Sequence, residues 1–486
     1  MSTAPTDSSS AVSERPLCVD LDGTLLATDT MAEGFVGLLK SAPWKVFAAL
    51  SALSTGRPKL KRYLAQNAPV DPATLPYREE VLDLIGEARA EGRRVLLVTA
   101  SDQATADAIS EHLGLFDEAI GSDGEKNLKA RRKADYLTGR FGAGGFQYLG
   151  DSSADLPVWK AAHEASMVCP SAHTQRAAEQ LVARATVLME RPPKLKAAIK
   201  ELRPHQWAKN ILLFVPLYFS HQYTDLNLVF TAIVAFFSFS FCASSIYVLN
   251  DLVDLSADRQ HRSKRNRPLA AGTLSIPEGI LLSLASLALS IALAAAWVSP
   301  KFIWVLLGYV ALTTAYSFVL KQQMIVDVLA LASLFTYRVV AGGLAVDVKL
   351  SPWLLAFSIF FFTSLAFVKR YSELIQVKGD GGLSLAGRNY VPADLPIISS
   401  AGPAAGLLAV LVFALYINSP ATMRYYSAPE VLWGICLILV YWIMRIWFLA
   451  ARSQMHDDPV LFAVKDKISL FAGLLVVACL LAARYG

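Results

Sequence analysis

The segment LNDLVDLSADRQHRSKRNRPLAAG, residues 249–272, follows a long uncharged run and places acidic side chains directly before a basic stretch. Asn250, Asp251, Asp254 and Asp258 stand at offsets 0, 1, 4 and 8. Residues three to four apart share one face of a helix, so the three carboxylates are predicted to form a stripe at a helix end. Like charges this close need a counter-ion, and Mg²⁺ binds carboxylates while keeping positions for phosphate oxygens. The pattern therefore predicts a metal–diphosphate site; a solvated acidic helix end is the alternative.

Long uncharged runs flank this segment and continue along the rest of the chain. Of the 486 residues, 54% are hydrophobic, and the mean hydropathy of +0.41 is too high for a wholly soluble protein. From about residue 208 onward, apolar runs recur that are close to the ~20 residues a helix needs to cross a bilayer. We therefore predict an all-α membrane bundle of nine transmembrane helices. They are predicted at residues 208–221, 226–249, 277–298, 301–320, 322–345, 352–368, 398–417, 429–450 and 467–484.

Basic residues are concentrated in alternate connections between the predicted helices. The loop after the second helix carries a basic cluster, and the connection after the sixth opens with Lys369 and Arg370. The other connections, such as HQYTDL and VSPK, hold at most one basic residue each. By the positive-inside rule the basic loops are cytoplasmic. The N-terminal half is then predicted in the cytoplasm and the C-terminus on the opposite side of an inner or plasma membrane. The basic cluster consists of Arg259, Arg262, Lys264, Arg265 and Arg267.

Several cations fall within or near the ends of predicted helices, where an ionisable group is expensive unless it lines a polar cavity. Arg338 is the clearest case, because it lies among apolar residues in the body of the fifth predicted helix. We predict that it binds phosphate; an internal ion pair with an aspartate is the alternative. Lys209 and Lys369 are predicted phosphate ligands as well, with snorkelling membrane anchors as the alternative. Lys321 and Arg370 complete this set of cations.

The pattern NDxxDxxxD, followed by a basic loop that ends in RPLAAG, resembles the first aspartate-rich motif of the UbiA prenyltransferase superfamily. Within that superfamily, roughly residues 200–486 look most like the polyprenyl-phosphate phosphoribosyltransferases. The second motif departs from the aromatic prenyltransferases, because only Asp327 stands where an acidic pair and a Pro-Gln element are expected. This departure disfavours ubiquinone-type chemistry. The resemblance is carried by LRPHQWAKN at 202–210, the aspartate motif at 250–258, AYSFVLKQQMIVDVLALASLFTYRVVAGG at 315–343 and KRYSEL at 369–374.

This resemblance implies the UbiA fold, with nine transmembrane helices and a cytoplasmic catalytic face. The implied donor is phosphoribosyl pyrophosphate, whose diphosphate binds Mg²⁺, and the implied acceptor is a polyprenyl phosphate. Asp251, Asp254 and Asp258 are then the catalytic metal ligands. The predicted substrate-binding residues of this half are Lys209, Asn250, Arg262, Lys321, Asp327, Arg338 and Lys369.

Three strand-like runs in the N-terminal half each end in polar side chains. RPLCVDLDGTLLATD, residues 15–29, reads as a short buried strand from Leu17 to Val19 that enters a carboxylate-rich turn. RRVLLVTAS ends at Thr99 and Ser101, and FQYLGDSSAD ends at Asp151 and Asp155. Strands separated by helical stretches predict a parallel α/β sheet, whose ligands bind at the carboxyl ends of the strands.

DxDGT, a threonine after an apolar strand, a lysine and GDxxxD resemble the four motifs of the haloacid dehalogenase superfamily over roughly residues 15–190. The resemblance implies an α/β Rossmann-like phosphatase domain with a small helical cap. Asp20 would be the nucleophile that forms an aspartyl-phosphate, and Asp22 the general acid and base. Asp20, Asp22 and Asp151 would hold Mg²⁺, with Asp155 in support. A degenerate domain retained as a scaffold is the alternative, although no motif residue is missing.

Two further residues of this resemblance concern the phosphoryl group. Thr99 would bind it, and the motif lysine would offset its negative charge. Lys133, in RRKADYL, is favoured for this lysine, while Lys126 and Lys129 in GEKNLKA remain candidates. A carboxylate attacks a phosphoryl centre only where cations cancel the opposing negative charges, which is why the motif combines these residue types.

The remaining segments complete the predicted organisation. Residues 1–14 are predicted as a disordered tail, 15–190 as the phosphatase domain, 191–207 as a linker and 208–486 as the transferase domain. The linker suits an amphipathic helix on the membrane surface or a plain tether. In the expected cap, EGFVGLLKSAPWKVFAALSAL is unusually apolar, so its helices are predicted to be core or membrane-facing.

The two resemblances together suggest a bifunctional enzyme. The membrane half would make polyprenyl-phosphoryl-ribose 5-phosphate, and the phosphatase half would remove the 5-phosphate. The alternatives are a prenyltransferase with a prenyl diphosphate donor and an aromatic or other lipid acceptor, and a regulatory phosphatase-like module. The net charge of +5 is modest for this length and says little by itself. No nucleic-acid partner is predicted, and a homo-oligomer is compatible with the sequence. The five cysteines lie far apart and indicate neither disulfides nor a zinc site.

Overall fold

The computed structural model describes residues 15–379, 381–385, 387–420, 422–455 and 458–486. The tail predicted at residues 1–14 lies outside the described residues. The chain forms two compact units, and the predicted domain limits stay a prediction. Among the described residues, the first comprises residues 15–202 together with Val248–Ser283, and the second comprises Arg203–Tyr247 and Leu284–Gly486.

A six-stranded parallel sheet forms the centre of the first unit. Its strands are β1 (Leu17–Val19), β2 (Val95–Asp102), β3 (Glu118–Ser122), β4 (Gln147–Gly150), β5 (Glu164–Val168) and β6 (Ala185–Met189). The strand order is β3-β2-β1-β4-β5-β6, so the order reverses between β1 and β4. In open α/β sheets, ligands bind beyond the carboxyl ends of the strands at such a switch point. The predicted N-terminal parallel sheet is confirmed.

Nine helices precede, separate or follow the strands in the described part of the chain up to Leu202. They are α1 (Thr30–Ser41), α2 (Val46–Ser54), α3 (Arg57–Asn67), α4 (Glu79–Ala90), α5 (Gln103–Leu113), α6 (Arg131–Phe141), α7 (Leu156–Ala161), α8 (Ala172–Leu181) and α9 (Lys194–Glu201). Successive residues of a strand point to opposite faces. Leu17 and Val19 of β1 therefore join the core on one face, with Val81 and Ile85 of α4, while Cys18 joins the core on the other.

The helices α1, α2 and α3 form a cap inserted between β1 and α4. Their small core consists of Leu38, Ala49, Leu60 and Leu64. Trp44 and Phe47 of the apolar stretch are 69% and 78% exposed, so these two side chains do not belong to a core. The cap therefore presents an outward apolar surface, as the membrane-facing interpretation of this stretch requires.

The remaining helices build the rest of the chain. They are α10 (Val215–Phe219), α11 (Leu226–Val253), α12 (Leu255–Gln260), α13 (Ile276–Leu293), α14 (Pro300–Phe318), α15 (Val326–Ala345), α16 (Pro352–Gly379), α17 (Leu395–Ile417), α18 (Thr422–Tyr425), α19 (Trp433–Ala451), α20 (Pro459–Lys465) and α21 (Lys467–Tyr485). The start of α14 shows how local sequence sets a boundary. The hydroxyl of Ser299 accepts a hydrogen bond from the Phe302 N–H, and Pro300 occupies the first turn, where no donor is needed.

Eight helical segments of the described chain are long and apolar enough to cross a membrane, by length and composition. They are Leu226–Val253, Ile276–Val298, Pro300–Gln322, Val326–Ala345, Pro352–Gly379, Pro392–Ile417, Pro429–Ala451 and Lys467–Tyr485. The prediction of a helical multi-pass membrane domain is confirmed, whereas the count of nine is not. The difference lies in the predicted helix at residues 208–221. There, Pro204–Phe214 forms a 3-10 helix, and the α-helix that continues it, α10, has only five residues. Pro216 lacks the N–H that an α-helix through this region would need, and its ring would clash with the preceding turn.

Candidate active sites

The pairing of β1 with β4 brings the two acidic motifs of the first unit together. Val19 is in register with Leu149, and the Asp20 N–H donates to the Leu149 carbonyl at 3.0 Å. Asp20 and Asp151 therefore leave adjacent strands at the switch point. Gly23 has a φ of +81°, and a Cβ atom there would lie 2.3 Å from Oδ2 of Asp151. Glycine in DxDGT thus allows the loop to approach the second motif closely.

Three carboxylates converge at this point. Each of Asp20, Asp151 and Asp155 offers an oxygen, and these oxygens lie within 4.8 Å of one another. Burial, the charge of Asp155 and the charge of Asp20 raise the pKa of Asp151 to about 8. Burial likewise raises the pKa of Asp20 to about 6, although Lys133 opposes the shift. Buried, mutually repelling oxygen ligands with raised pKa values are what a hard divalent cation relieves, so this site fits Mg²⁺.

Lys133 is the lysine that reaches this cluster. Its Nζ atom lies 2.7 Å from Oδ1 of Asp20 and 2.7 Å from Oη of Tyr148. The Tyr148 hydroxyl in turn donates to Oδ1 of Asp155 at 3.0 Å. The other two candidates, Lys126 and Lys129, are exposed. Tyr148 links lysine and carboxylate, and sequence reasoning gives it no role because it lies inside an apolar strand.

Asp22 is held by donors from two different elements. Its Oδ1 atom accepts from the Thr30 N–H at 2.7 Å, and its Oδ2 atom accepts from the Ser101 hydroxyl at 2.5 Å. The Ser101 and Thr30 hydroxyl oxygens are 2.7 Å apart, and the Ser101 N–H donates to Oγ1 of the buried Thr99. Burial raises the pKa of Asp22, which favours the protonated form that a general acid needs. Ser101 thus positions the predicted acid and base.

The aspartate motif of residues 250–258 lies where α11 ends and α12 begins. Asp251 and Asp258 are buried and converge on one guanidinium: Nη1 of Arg267 lies 3.0 Å from Oδ1 of Asp251 and 2.5 Å from Oδ2 of Asp258. Lys264 lies 3.7 Å from the other oxygen of Asp258. The two carboxylates therefore form a site that requires positive charge. Their oxygens are hard ligands that fit Mg²⁺ with a diphosphate.

Asp254 differs from the predicted single stripe. The helix is interrupted at this residue, which separates α11 from α12 and has a φ of −99° and a ψ of 14°. Its carboxylate is half exposed and lies 3.8 Å from Nζ of Lys40. Of the other predicted residues of this segment, Asn250 is half-buried and gives its carbonyl to the Asp254 N–H, while Arg262 is exposed.

Arg338 is buried in the second unit within a ring of neutral partners. Its Nε atom donates to Oδ1 of Asn210 at 2.9 Å, and its Nη2 atom donates to the Tyr309 hydroxyl at 3.0 Å. The guanidinium also lies over the rings of Tyr309, Phe239 and Phe335. No carboxylate of the described residues pairs with it, so the ion pair considered as an alternative is not found. A buried cation with neutral partners attracts an anion.

Lys209 and Lys369 share one carboxylate, that of Asp458. The distances from their Nζ atoms to Oδ2 of Asp458 are 2.9 and 3.6 Å. Burial opposes ionisation of Asp458, but the two lysine charges lower its pKa to about 2. Within the part of the chain that the structure describes, two ammonium groups thus surround one carboxylate, which leaves a net positive charge. The sequence analysis did not identify Asp458. Its position directly before Pro459 is typical of a helix N-cap, and the Oδ1 atom of Asp458 does accept a hydrogen bond from the Val460 N–H at the start of α20.

Asp327 lies in an internal ion-pair network and is fully buried. The Arg370 guanidinium donates to both of its oxygens, at 2.5 and 3.3 Å, and the Tyr316 hydroxyl donates to it at 2.9 Å. Arg370 also contacts Glu373. The Asp327 carboxylate is thus neutralised by protein groups. The neighbouring predicted residue, Lys321, is half-buried and lies in the 3-10 turn Leu320–Gln322.

The second unit also contains a cavity of about 560 Å³. Its walls are mainly aliphatic and aromatic, which suits an apolar chain. Representative lining residues are Leu212, Phe219, Trp353, Phe357, Leu439 and Leu480.

Comparison with known proteins gives matches for both parts of the chain. The model of the UbiA prenyltransferase family matches residues 211–483, and that of the haloacid dehalogenase-like hydrolases matches residues 17–160. A Sinorhizobium fredii protein designated y4nM is 40% identical over 465 residues, 95% of this chain and 90% of its own. Nodulation protein NoeC of Azorhizobium caulinodans is 36% identical over 268 residues, 55% of this chain and 87% of its own. Decaprenyl-phosphate phosphoribosyltransferase of Mycolicibacterium smegmatis is 31% identical over 288 residues, 57% of this chain and 89% of its own.

Proposed function

The chain belongs to the UbiA prenyltransferase family and carries an N-terminal haloacid dehalogenase-like hydrolase domain, and we propose that it synthesises a polyprenyl-phosphoryl-ribose in two steps. The membrane domain transfers 5-phosphoribose from phosphoribosyl pyrophosphate to a polyprenyl phosphate. The phosphatase domain then removes the 5-phosphate of the lipid product. The relationship to decaprenyl-phosphate phosphoribosyltransferases supports the first step. The complete phosphatase centre, fused to a transferase whose product would carry a phosphomonoester, supports the second.

The observation that carries the first step is the convergence of Asp251 and Asp258 on a single cationic group. A donor diphosphate would occupy such a site together with Mg²⁺ held by these residues and Asp254. When bound, the cation supplies positive charge to the leaving diphosphate. Arg267 and Lys264 would then contact diphosphate oxygens instead of carboxylates. As the bond from ribose C1 to the diphosphate breaks, an oxygen of the acceptor phosphate attacks C1.

The acceptor phosphate requires cations whose charge is not already cancelled. Among the described residues, Lys209 and Lys369 meet this condition because they share the Asp458 carboxylate, and Arg338 meets it because its partners there are neutral. We assign phosphate binding to these three residues. The apolar cavity would accept part of the polyprenyl chain. Asn250, Arg262 and Lys321 remain predicted substrate contacts.

Asp327 bears on the choice of donor. An enzyme with a prenyl diphosphate donor and an aromatic acceptor would be expected to have a second aspartate-rich motif. Here the single aspartate at that place is neutralised by Arg370. This arrangement favours the phosphoribosyl donor over the prenyl diphosphate alternative.

The phosphatase step uses the carboxylates at the switch point. Asp20 attacks the phosphorus atom, and Asp22 donates a proton to the departing 5-oxygen of the ribose. Asp22 then takes a proton from the water that hydrolyses the aspartyl-phosphate, which releases inorganic phosphate and restores Asp20. Lys133 and Thr99 would hold the phosphoryl oxygens. Asp20, the Asp22 carbonyl and Asp151 would hold Mg²⁺, which supplies charge compensation for the attack.

A topology with both steps on the cytoplasmic face needs a ninth crossing. The 16 residues Pro204–Phe219 can supply it, because 11 of them are in a 3-10 helix, which rises about 2.0 Å per residue. With α10 at about 1.5 Å per residue, the segment reaches about 30 Å, the thickness of the hydrocarbon core. The basic loops then face the cytoplasm and the C-terminus the opposite side.

The deciding experiment incubates purified protein with radiolabelled phosphoribosyl pyrophosphate, decaprenyl phosphate and Mg²⁺. We expect label in the lipid extract, and mass spectrometry should show a lipid-linked ribose without its 5-phosphate. Label that stays in the aqueous phase would contradict the transferase assignment. A lipid product that keeps its 5-phosphate would contradict only the phosphatase assignment.

A further inference from the structure

Helix α1 of the phosphatase domain lies along the aspartate-bearing segment Val248–Ser283 within the first unit. Glu33, Val36 and Lys40 of α1 stand at positions i, i+3 and i+7, so they share one helix face. Each of the three contacts that segment. This face is therefore the one by which the phosphatase domain meets the predicted diphosphate site.

A buried ion pair fixes this contact at Glu33, in the first turn of α1. Nη2 of Arg259 lies 2.5 Å from Oε1 of Glu33, and the two side chains are only 8% and 10% exposed. The Thr28 hydroxyl donates to the same Glu33 oxygen at 2.7 Å, and Nε of Arg259 donates to the Ala270 carbonyl at 3.1 Å. A buried pair holds a specific geometry only when hydrogen bonds satisfy its remaining groups, as here.

Close packing surrounds the ion pair. Val36 and Ala32 pack on the apolar cluster formed by Val248, Leu252, Leu255, Leu269, Leu274 and Ile276. Gly272 closes the basic loop with a φ of +69°, and a Cβ atom there would lie 2.1 Å from the Ala27 carbonyl oxygen. Only glycine permits this approach. The contact is thus built into the backbone as well as the side chains.

The carboxy-terminal end of this face carries a cation. Nζ of Lys40 lies 3.8 Å from Oδ1 of Asp254, and the two side chains are 47% and 44% exposed. An exposed pair of this kind contributes little to stability, so its ammonium group stays available to an incoming anion. Arg267 contacts the other two aspartates of the motif. Lys40 thus supplies positive charge beside Asp254, the third aspartate of the motif.

The opposite end of α1 reaches the phosphatase centre. The Thr30 N–H at the start of the helix donates to Oδ1 of Asp22. The 12 residues of α1 extend about 18 Å, so one rigid element joins the predicted acid and base of the phosphatase to the aspartate motif.

We propose that the phosphatase domain completes the donor site of the transferase: Lys40 binds the diphosphate beside Asp254, and the Glu33–Arg259 pair holds α1 in position for it. This inference rests on the proposed use of a diphosphate donor. A donor diphosphate and three aspartates bring more negative charge than one divalent cation can cancel, so additional cations are required. Glu33 is a positioning residue, because it acts through Arg259 and α1.

The test compares Lys40→Ala and Lys40→Arg with a matched control, Lys45→Ala. In the wild type, the Lys45 ammonium group donates a hydrogen bond to Asn67 and not to an aspartate of the motif. Initial rates of lipid ribosylation give kcat and the KM for phosphoribosyl pyrophosphate. Calorimetry gives the affinity for Mg²⁺-pyrophosphate without any reaction. Hydrolysis of p-nitrophenyl phosphate serves as the reference for the phosphatase centre.

We expect Lys40→Ala to raise the KM for phosphoribosyl pyrophosphate about tenfold, because one charge-assisted hydrogen bond is lost. The affinity for Mg²⁺-pyrophosphate should fall in parallel. Lys40→Arg should keep most of the affinity, and Lys45→Ala all of it. An unchanged KM and unchanged pyrophosphate affinity in Lys40→Ala would overturn the proposal. If the wild type makes no lipid product, the proposed function fails, and the pyrophosphate affinities alone decide the role of Lys40.

A second pair of variants tests the positioning role. Glu33→Arg and Arg259→Glu each place like charges together and should raise the same KM. The double variant restores an ion pair of reversed polarity and should bring the KM at least part of the way back to the wild-type value. This comparison stays possible even if one of the single variants folds poorly. Failure of the double variant to improve on a folded single variant would show that the pair does not position α1.

Discussion

The Nζ atom of Lys133 lies 2.7 Å from Oδ1 of Asp20, although 113 positions of the chain separate them. This contact opposes the effect of burial, which raises the pKa of the nucleophile to about 6. Without the ammonium group, the carboxyl would hold its proton to a higher pH. Lys133 therefore keeps Asp20 ionised as well as offsetting the charge of a phosphoryl group.

The first prediction concerns this pair. Lys133→Met should lower hydrolysis of p-nitrophenyl phosphate by about 100-fold or more at neutral pH and move the acidic limb of the pH–rate profile upward, because the pKa of Asp20 rises. Lys129→Ala, at an exposed position, is the matched control. A lower rate with an unmoved acidic limb would mean that Lys133 binds phosphate without setting the ionisation of Asp20.

The second prediction concerns pH and the metal-free protein. The pKa of Asp151 is about 8, above its ordinary value of 3.8, so the folded state holds this proton more tightly than the unfolded state. The resulting stabilisation is complete below about pH 4 and is lost as the pH rises towards 8. In EDTA, the Tm of the phosphatase transition should therefore fall by several degrees between pH 5 and pH 8.

Two controls make this pH dependence specific. Asp151→Asn removes the titrating group and should flatten the trend. Saturating Mg²⁺ should also flatten it, because cation binding favours the ionised carboxylates. A Tm that falls equally in Asp151→Asn would assign the trend to other groups.

The third prediction concerns the aspartate motif. Asp251→Asn and Asp254→Asn should each lower lipid ribosylation at least about 100-fold, because each removes a negative metal ligand while conserving shape. The protein should stay folded, as judged by its elution in detergent and its phosphatase activity. Glu430→Gln, at an exposed carboxylate, is the control and should be fully active. Full activity in either aspartate variant would remove the metal–diphosphate assignment.

The fourth prediction concerns Arg338. Arg338→Ala should raise the KM of a phosphorylated substrate by about ten- to 100-fold, because a buried cation with neutral partners is lost. Arg452→Ala, which also removes a guanidinium that lies over an aromatic ring, is the control on the exposed surface. A lower Tm with unchanged KM values would show that Arg338 serves only to organise Asn210 and Tyr309.

The sequence predicts the phosphatase centre well where the information is local. DLDGT and GDSSAD each follow a short apolar strand, and parallel strands deliver their carboxyl ends to one edge. The choice between Lys133, Lys129 and Lys126 is not local, because it depends on how α6 packs across the sheet. The roles of Tyr148 and Ser101 likewise emerge only once neighbouring strands are paired.

The membrane half shows the same limit. Apolar length predicts nine helices, whereas eight segments of the described chain are long and apolar enough to cross a membrane. At the ninth predicted position, Pro204–Phe214 forms a 3-10 helix that only the five residues of α10 follow, and a count of apolar residues does not reveal this geometry. The aspartate spacing predicts one stripe, whereas the helix break at Asp254 divides it. The pairing of Lys209 with Asp458 joins positions 249 apart, which only the folded chain brings together.

The fifth prediction separates the two proposed steps. Asp20→Asn should stop the phosphatase while ribosylation continues, so that the lipid 5-phosphate accumulates in place of the dephosphorylated lipid. An amide cannot form the acyl-phosphate at a useful rate. Asp20 is assigned as the nucleophile because, among the described residues of the motif, it is the carboxylate that Lys133 contacts at 2.7 Å. The substitution keeps the shape of the side chain and falls at the end of β1, whereas the aspartate motif contacts the cap through α1. Mass spectrometry of the lipid product, wild type against variant, measures the 5-phosphate directly. Lys126→Ala, at an exposed lysine, should leave the product ratio at the wild-type value. If the ratio is also unchanged in Asp20→Asn, the phosphatase domain acts on another molecule, and the two-step assignment fails while the transferase assignment stands.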